Sequence, residues 1–235
     1  MAAEAEPLIA TLAATEVATP AWAANLPARL HRQRDHEGID LVIATNGTDP
    51  VSGVDCIGGQ AAALATHLAM ITHQPDLVLS VGTAGGWARA GAAIGDVFVA
   101  WDRFVHHDRR IDIPGFAGFG VGNHPAADIR DAAVACGCRL GVVTTGESLD
   151  QSDVDRARII ESGAEVKDME AASVAWVARL HQTPASAVKA ITDLVDSPVA
   201  TEMRFLANLD LAVERLQSKV LELLPRLTSL DARPG

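Results

Sequence analysis

Short apolar runs, separated by longer stretches with helical spacing, organise this chain. Residues 39–44 (IDLVIA) read as a buried strand that ends at the turn signal Asn46-Gly47. Residues 54–72 read as an Ala-rich helix. Residues 77–81 (LVLSV) form a second strand, stopped by Gly82 and the Gly85-Gly86 pair. Residues 96–100 (DVFVA), 139–144 (RLGVVT) and 185–191 give three more strands, and residues 169–181 a helix. A long amphipathic helix closes the pattern over residues 201–224. Its apolar side carries Leu206, Leu209, Val213, Leu216 and Val220, at alternating steps of three and four. Strands that alternate with helices predict a three-layer α/β fold. The Gly-rich stretch 106–124 lacks helical spacing and reads as a long loop beside the site, since long loops in compact domains are usually functional.

Composition narrows the function classes. The 235 residues fit a single domain over 1–235, and 49% hydrophobic content supports a substantial core. Aromatics are sparse and Tyr is absent, so that core rests on Ala, Val, Leu and Ile. Thirty acidic residues against 19 basic ones give a net charge of −11, which argues against nucleic-acid binding. Three cysteines, two of them in the C-x-C Cys136/Cys138, complete no zinc pattern and fit a reducing cytoplasm. The amino terminus lacks a signal-peptide pattern, and no apolar stretch is long enough for a membrane helix. The expectation is a cytoplasmic protein with no metal and no cofactor.

Three strand ends carry polar residues: Gly82-Thr83-Ala84-Gly85-Gly86, Thr145-Gly146-Glu147-Ser148 and Thr192-Asp193. Open α/β sheets bind ligands beyond the carboxyl ends of their strands, so function is expected there. Asp193 has two readings: the N-cap of the next helix, or a partly desolvated carboxyl that holds a proton near neutral pH and acts as a general acid. Glu170, in Lys167-Asp168-Met169-Glu170, is either a first-turn acid favoured by the helix dipole or the acceptor of two vicinal sugar hydroxyls. In the second reading Met169 packs on the sugar. The Gly82–Gly86 loop is not the dinucleotide fingerprint, but its small residues allow close approach to a ligand. Gly146-Glu147-Ser148-Leu149-Asp150 departs from the nucleophile elbow at Asp150, and the adjacent His106-His107-Asp108 is weak as a metal site.

Taken in order, GTAGG, IGDVFVAWD, TGESLD, KDMEAASVAWV and KAITDLVD resemble the nucleoside phosphorylase and nucleosidase superfamily. Within it the chain is most similar to the plant-type 5′-methylthioadenosine/S-adenosylhomocysteine nucleosidases, through residues 107–114 (HDRRIDIP), 119–122 (FGVG) and 46–49 (NGTD) leading to Gly53-Val54-Asp55. The resemblance implies a three-layer α/β/α fold on a central mixed sheet, a cofactor-free N-glycosyl hydrolase of an adenine nucleoside, and a homodimer. Asp193 then protonates adenine N7. Glu170 holds the 2′- and 3′-hydroxyls beside Met169, and Glu4 activates water near Thr83. Leu149 contacts the purine, and Ala84, Gly85 and Lys167 join the substrate-binding set. Phe116 and Phe119 are candidates for the 5′ pocket, which the dimer helps to close.

Departures from the family pattern matter. The family has an apolar strand just ahead of its M-x-x-E motif, here Met1-Ala2-Ala3-Glu4, so strand one is absent. The favoured expectation is that Met1 is an internal methionine of a longer product, over a protein that lacks the strand and catalyses poorly. Thr48 replaces an Arg of the plant-like pattern, and Ser80 stands where many phosphorylases carry Arg. Both favour water over phosphate as nucleophile. The rival readings are a phosphate-dependent phosphorylase and a nucleoside-binding protein without turnover.

Overall fold

In the computed structural model, residues 1–197 and 201–228 are described, without the side chains of residues 201 and 202. The chain opens with α1 (Ala2–Thr11) and the strands β1 (Thr15–Val17), β2 (Arg29–His36) and β3 (Ile39–Thr45). Then come α2 (Gly59–His73), β4 (Val78–Gly86), β5 (Val97–His106), α3 (Ala117–Val121) and β6 (His124–Pro125). The second half holds α4 (Arg130–Ala135), β7 (Arg139–Thr145), α5 (Asp153–Ser162), β8 (Val166–Asp168), α6 (Ala171–Leu180), β9 (Ala185–Leu194) and α7 (Thr201–Leu227).

All five expected strands form. Each runs one or more residues further than its apolar run, because sheet pairing continues past it. β4 does not stop at Gly82: Gly85 and Gly86 pair antiparallel with β8 and parallel with β9. β9 is buried along nearly its whole length, and it takes Ser186, Lys189, Thr192 and Asp193 into the interior with its apolar residues. The helix expected from residue 54 begins only at Gly59. Residues 47–56 are held instead as a turn, with Asp49 N–H on Val54 C=O and Cys56 N–H on Gly47 C=O, both at 2.8 Å. Gly47 has φ +75°, and a Cβ there would lie 1.8 Å from the Pro27 carbonyl oxygen. The expected loop 106–124 is shorter than its pattern, since it ends in β6 and contains α3. On α7, Leu206 is 72% exposed, so the buried stripe begins further along, at Val213, Leu216 and Val220.

The first half of the fold was less legible. β2 (RLHRQRDH) is too polar to read as a strand; it forms because β1 and β3 pair on its two edges. α1 docks through Leu8 and Leu12 on the cluster that contains Leu216 and Val220. Gln217 adds a hydrogen bond to the Pro7 carbonyl at 3.2 Å.

A mixed sheet of order β6-β5-β7-β8-β4-β9 closes on itself, because β5 also pairs with β9. α1, α4 and α7 pack on one side and α6 on the other, with α2 laid against α6 and β3. This is the expected three-layer α/β/α arrangement around a mixed sheet. β1, β2 and β3 form a separate antiparallel sheet.

Two strand edges are left open. Beyond β2, β3 has no other strand partner among the described residues, and β4 meets β8 only at Gly85 and Gly86. A cavity of about 1540 Å³ is lined by both edges, through Ile39, Leu41 and Ile43 of β3 and Leu79 and Val81 of β4. Ligand pockets usually enclose about 300–1,000 Å³. The cavity therefore extends well beyond one ligand. It runs from an apolar end under α7 to a polar end where the carboxyl termini of β4 and β9 meet.

Candidate active site

Asp193 sits inside β9, level with Gly85 of β4, and 2% of it is exposed. It is no helix cap, since α7 starts only at Thr201. Its Oδ1 accepts from the Thr192 hydroxyl at 2.8 Å, whereas Oδ2 lies buried without a hydrogen-bond partner. The residue lines the polar end of the cavity. Burial raises the carboxyl above the usual Asp range, against the Thr192 bond and the positive charge of Lys167. A Cβ on Gly85 would come within 2.5 Å of Val195 Cγ1 and 3.1 Å of Asp193 Oδ2. Only glycine lets β4 pass this close to the acid.

Glu170 occupies the cap position of α6, but its side chain does not cap the helix. Asp168 does so instead, accepting from Ala171 N–H at 2.8 Å. The Glu170 carboxylate turns away to Gly58, whose N–H at the start of α2 donates to Oε1 at 2.8 Å. The first-turn reading thus belongs to Asp168, and Glu170 is left to line the cavity beside Met169. Burial raises its pKa, against the attraction of Lys189.

Lys189 escaped the sequence reading. It lies in β9, almost wholly buried, with Nζ 2.9 Å from Asp168 Oδ2. Burial alone would discharge this ammonium. Asp168, Glu170 and Glu4 together hold its pKa above the usual Lys value. Asp168 also accepts from the Thr145 hydroxyl at 2.6 Å. A lone Lys within an apolar strand was the available signal, because a fully buried Lys is almost always paired.

Glu4 stands in the first turn of α1. Its Oε1 accepts from both Thr83 N–H and the Thr83 hydroxyl, at 2.7 and 2.6 Å, and it pairs with the Met1 ammonium. Burial pushes the Glu4 carboxyl up, but the ammonium and the Thr83 bonds outweigh it, so its pKa lies below the ordinary Glu value. Glu4, Thr83, Glu170 and Asp193 all face the same end of the cavity.

Ala84, Gly85, Leu149, Lys167 and Met169 line it too. The Lys167 ammonium is engaged with the protein: it donates to the Ser148 and Leu149 carbonyls at 2.9 and 2.8 Å and so fixes the turn that presents Leu149. Phe116 and Phe119 do not line the cavity of their own chain. They are 51% and 57% exposed on the loop after β5. Ser80 and Thr48 line the cavity and bring no charge. Ser148 is exposed and no histidine pairs with it, because His107 Nδ1 lies 3.1 Å from Thr144 Oγ1 instead. Burial pushes His106 and His124 down to about 4, so both are neutral, and no group of three or more His, Cys, Asp or Glu among the described residues is placed to hold a metal. No helix among the described residues is long and apolar enough to cross a membrane.

The phosphorylase superfamily model matches residues 1–225. The 5′-methylthioadenosine nucleosidase of Arabidopsis thaliana is 37% identical over 217 residues, which cover 92% of this chain and 80% of the relative. The 5′-methylthioadenosine/S-adenosylhomocysteine nucleosidase of the same plant is 35% identical, over 79% of this chain and 72% of its own. A solved apo structure of the Arabidopsis thaliana 5′-methylthioadenosine nucleosidase superposes with a TM-score of 0.93 at 34% identity, covering 99% of this chain and 94% of that one. A buried acid, a carboxylate bonded to Thr83 and a cavity-facing glutamate thus meet on a fold and a sequence shared with known nucleosidases, and the chain belongs to the phosphorylase superfamily and, within it, to the plant-type 5′-methylthioadenosine/S-adenosylhomocysteine nucleosidases.

Proposed function

We propose that this chain hydrolyses the N-glycosidic bond of 5′-methylthioadenosine and releases adenine, with Asp193 as general acid and Glu4 as general base. One observation carries the reading. Asp193 presents a buried carboxyl oxygen without a hydrogen-bond partner at the same cavity end as the Glu4–Thr83 pair. A carboxyl with a raised pKa and another with a lowered one suit the two halves of acid–base catalysis.

In this reading Asp193 gives its proton to adenine N7. Electron density is drawn from the C1′–N9 bond, and the ribosyl group passes through an oxocarbenium-like state, as in glycoside hydrolysis generally. Glu4 takes a proton from the attacking water, which Thr83 helps to seat. The C1′–O bond forms as C1′–N9 breaks, and the products are adenine and the free 5-methylthio sugar. Glu170 holds the 2′- and 3′-hydroxyls with Met169 against the ribose. Ala84, Gly85 and Leu149 enclose the base, and Lys167 acts through the turn that carries Leu149. Lys189 keeps Glu170 and Asp168 from repelling one another. S-adenosylhomocysteine is a second substrate to test.

Water rather than phosphate is the nucleophile in this proposal. At the reactive end Ser80 and Thr48 offer no cation, Lys167 is engaged with carbonyls and Lys189 with Asp168. Adenine release should proceed at the same rate with and without phosphate and yield free sugar. A ribose 1-phosphate product would sink the idea, and tight nucleoside binding without turnover would favour the binding-protein reading.

The working form proposed is a cytoplasmic homodimer. Val51, Val54 and Ile57 on the turn before α2, with Leu64 on α2, expose an apolar stretch that fits a second copy. Phe116 and Phe119 would then reach the 5′ pocket of the opposite subunit.

A further inference from the structure

The amino terminus of α2 serves two carboxylates at once. Gly58 N–H donates to Glu170 Oε1 at 2.8 Å, and the next amide, Gly59 N–H, donates to both oxygens of Glu147 at 3.2 Å. Glu147 lies flat on this glycine pair. A Cβ on Gly58 would sit 2.6 Å from Glu147 Oε2, and one on Gly59 would sit 2.6 Å from Oε1. The side chain therefore needs both glycines, and the 15-residue α2 meets it with the positive end of its dipole.

The turn that carries Glu147 is itself pinned. Asp108 Oδ2 accepts from Glu147 N–H at 2.6 Å, and Gly146 N–H donates to the Asp168 carbonyl at 3.1 Å. Lys167 Nζ holds the next two carbonyls. A Cβ on Gly146 would meet His107 Nε2 at 2.3 Å, so only glycine lets the turn pack this closely on His107. Glu147 is aimed at α2 by these bonds, although it remains exposed to solvent.

We propose that Glu147 is a positioning residue for the reaction: by gripping Gly59 N–H it sets the start of α2, and through Gly58 N–H it fixes where Glu170 meets the sugar diol. The assignment rests on the ribose reading of Glu170 above. It gives Glu147, which nothing in the proposed chemistry uses, a task in the site. It also connects the loop after β5 to the sugar through Asp108.

Two substrates test it: 5′-methylthioadenosine and its 2′,3′-dideoxy counterpart, which offers Glu170 nothing to hold. In Glu147→Ala, kcat/KM for the diol substrate should fall roughly 10- to 100-fold, the scale of a small misplacement of a binding group, with little change for the dideoxy compound. Glu147→Gln keeps an oxygen for Gly59 N–H and should restore most of the loss. The double variant with Glu170→Ala should lose no more than Glu170→Ala alone. Equal losses on both substrates, or no loss on either, would overturn the positioning role. Glu170→Ala measured on the same pair keeps the two ideas apart. If that variant discriminates between the substrates and Glu147→Ala does not, only the positioning role fails. If Glu170→Ala shows no discrimination, the ribose assignment fails and this one with it.

Discussion

Glu4 Oε1 accepts two hydrogen bonds from one residue, the N–H and the hydroxyl of Thr83, and thereby joins the first turn of α1 to the end of β4. The joint fixes the proposed base at the cavity wall and helps to lower its pKa. At the same end of the cavity, burial moves Asp193 the other way. Relative to free carboxyls, the fold thus favours the ionised form of Glu4 and the protonated form of Asp193, the directions that the proposed base and acid roles need.

A bell-shaped pH dependence of kcat/KM follows. The acidic limb, set by Glu4, lies below the ordinary Glu range, and the alkaline limb, set by Asp193, lies above the ordinary Asp range. Glu4→Gln should flatten the acidic limb and Asp193→Asn the alkaline one, each lowering kcat by roughly 10²–10⁴. A wild-type alkaline limb that persists unchanged in Asp193→Asn would remove Asp193 from the acid role.

Asp193→Asn should also stabilise the fold as it abolishes catalysis. A carboxyl whose folded pKa is raised favours folding fully only below its unfolded pKa, and that contribution is lost as pH rises through the folded value. Above the ordinary Asp range the wild type therefore carries a penalty that Asn does not. The Tm advantage of Asp193→Asn should grow as pH rises from the ordinary Asp range through the raised folded pKa, and level off above it. A Tm difference that stays constant over this range would show that the acid is not strained by its burial.

Lys189 and Asp168 give a third prediction. Their ion pair is almost wholly buried, so removing one partner strands the other. Lys189→Met should cost about 3–5 kcal/mol of stability in denaturant unfolding, and Lys189→Met with Asp168→Asn less than Lys189→Met alone. If the double variant is the less stable of the two, the cost belongs to packing and not to charge.

How far these groups were legible in the sequence depended on how local their signals are. β9 and β7 announced themselves as apolar runs, and Asp193 lay where a strand end should present it, whereas Glu170 was read only at the start of a helix. The sequence left Asp193 and Glu170 between capping and chemistry, because a helix start and a site favour the same acids. The fold separates the two: Asp168 takes the cap and Glu170 faces the cavity. β2 was invisible because its pairing, not its composition, makes it a strand. Glu147 could not be read because its partners, Gly58 and Gly59, lie far away in sequence and meet it only through folding.

The two open strand edges support a final prediction, that the domain works best with one more strand between β3 and β4. Open strand edges are a liability, and both of these border a cavity larger than a nucleoside requires. Met1 lies at the mouth of that space, with the next amide, Ala2 N–H, bonded to Asp55 Oδ2 at 2.8 Å and Glu4 on Thr83. Residues placed ahead of Met1 would run down the slot parallel to β4, whose carboxyl end is beside Glu4. The open part of β4, residues 78–84, spans about 23 Å at strand rise, enough for roughly seven residues. Fusing about ten residues that contain such an apolar, β-branched run should raise Tm and kcat together and slow amide exchange along β3 and β4. It also turns the Met1 ammonium into an amide, so the acidic limb of the pH profile should move up towards the ordinary Glu range. A scrambled polar extension of equal length should change the pH limb alone. If the apolar run leaves Tm and exchange at β3 and β4 where the polar one does, the slot does not take a strand.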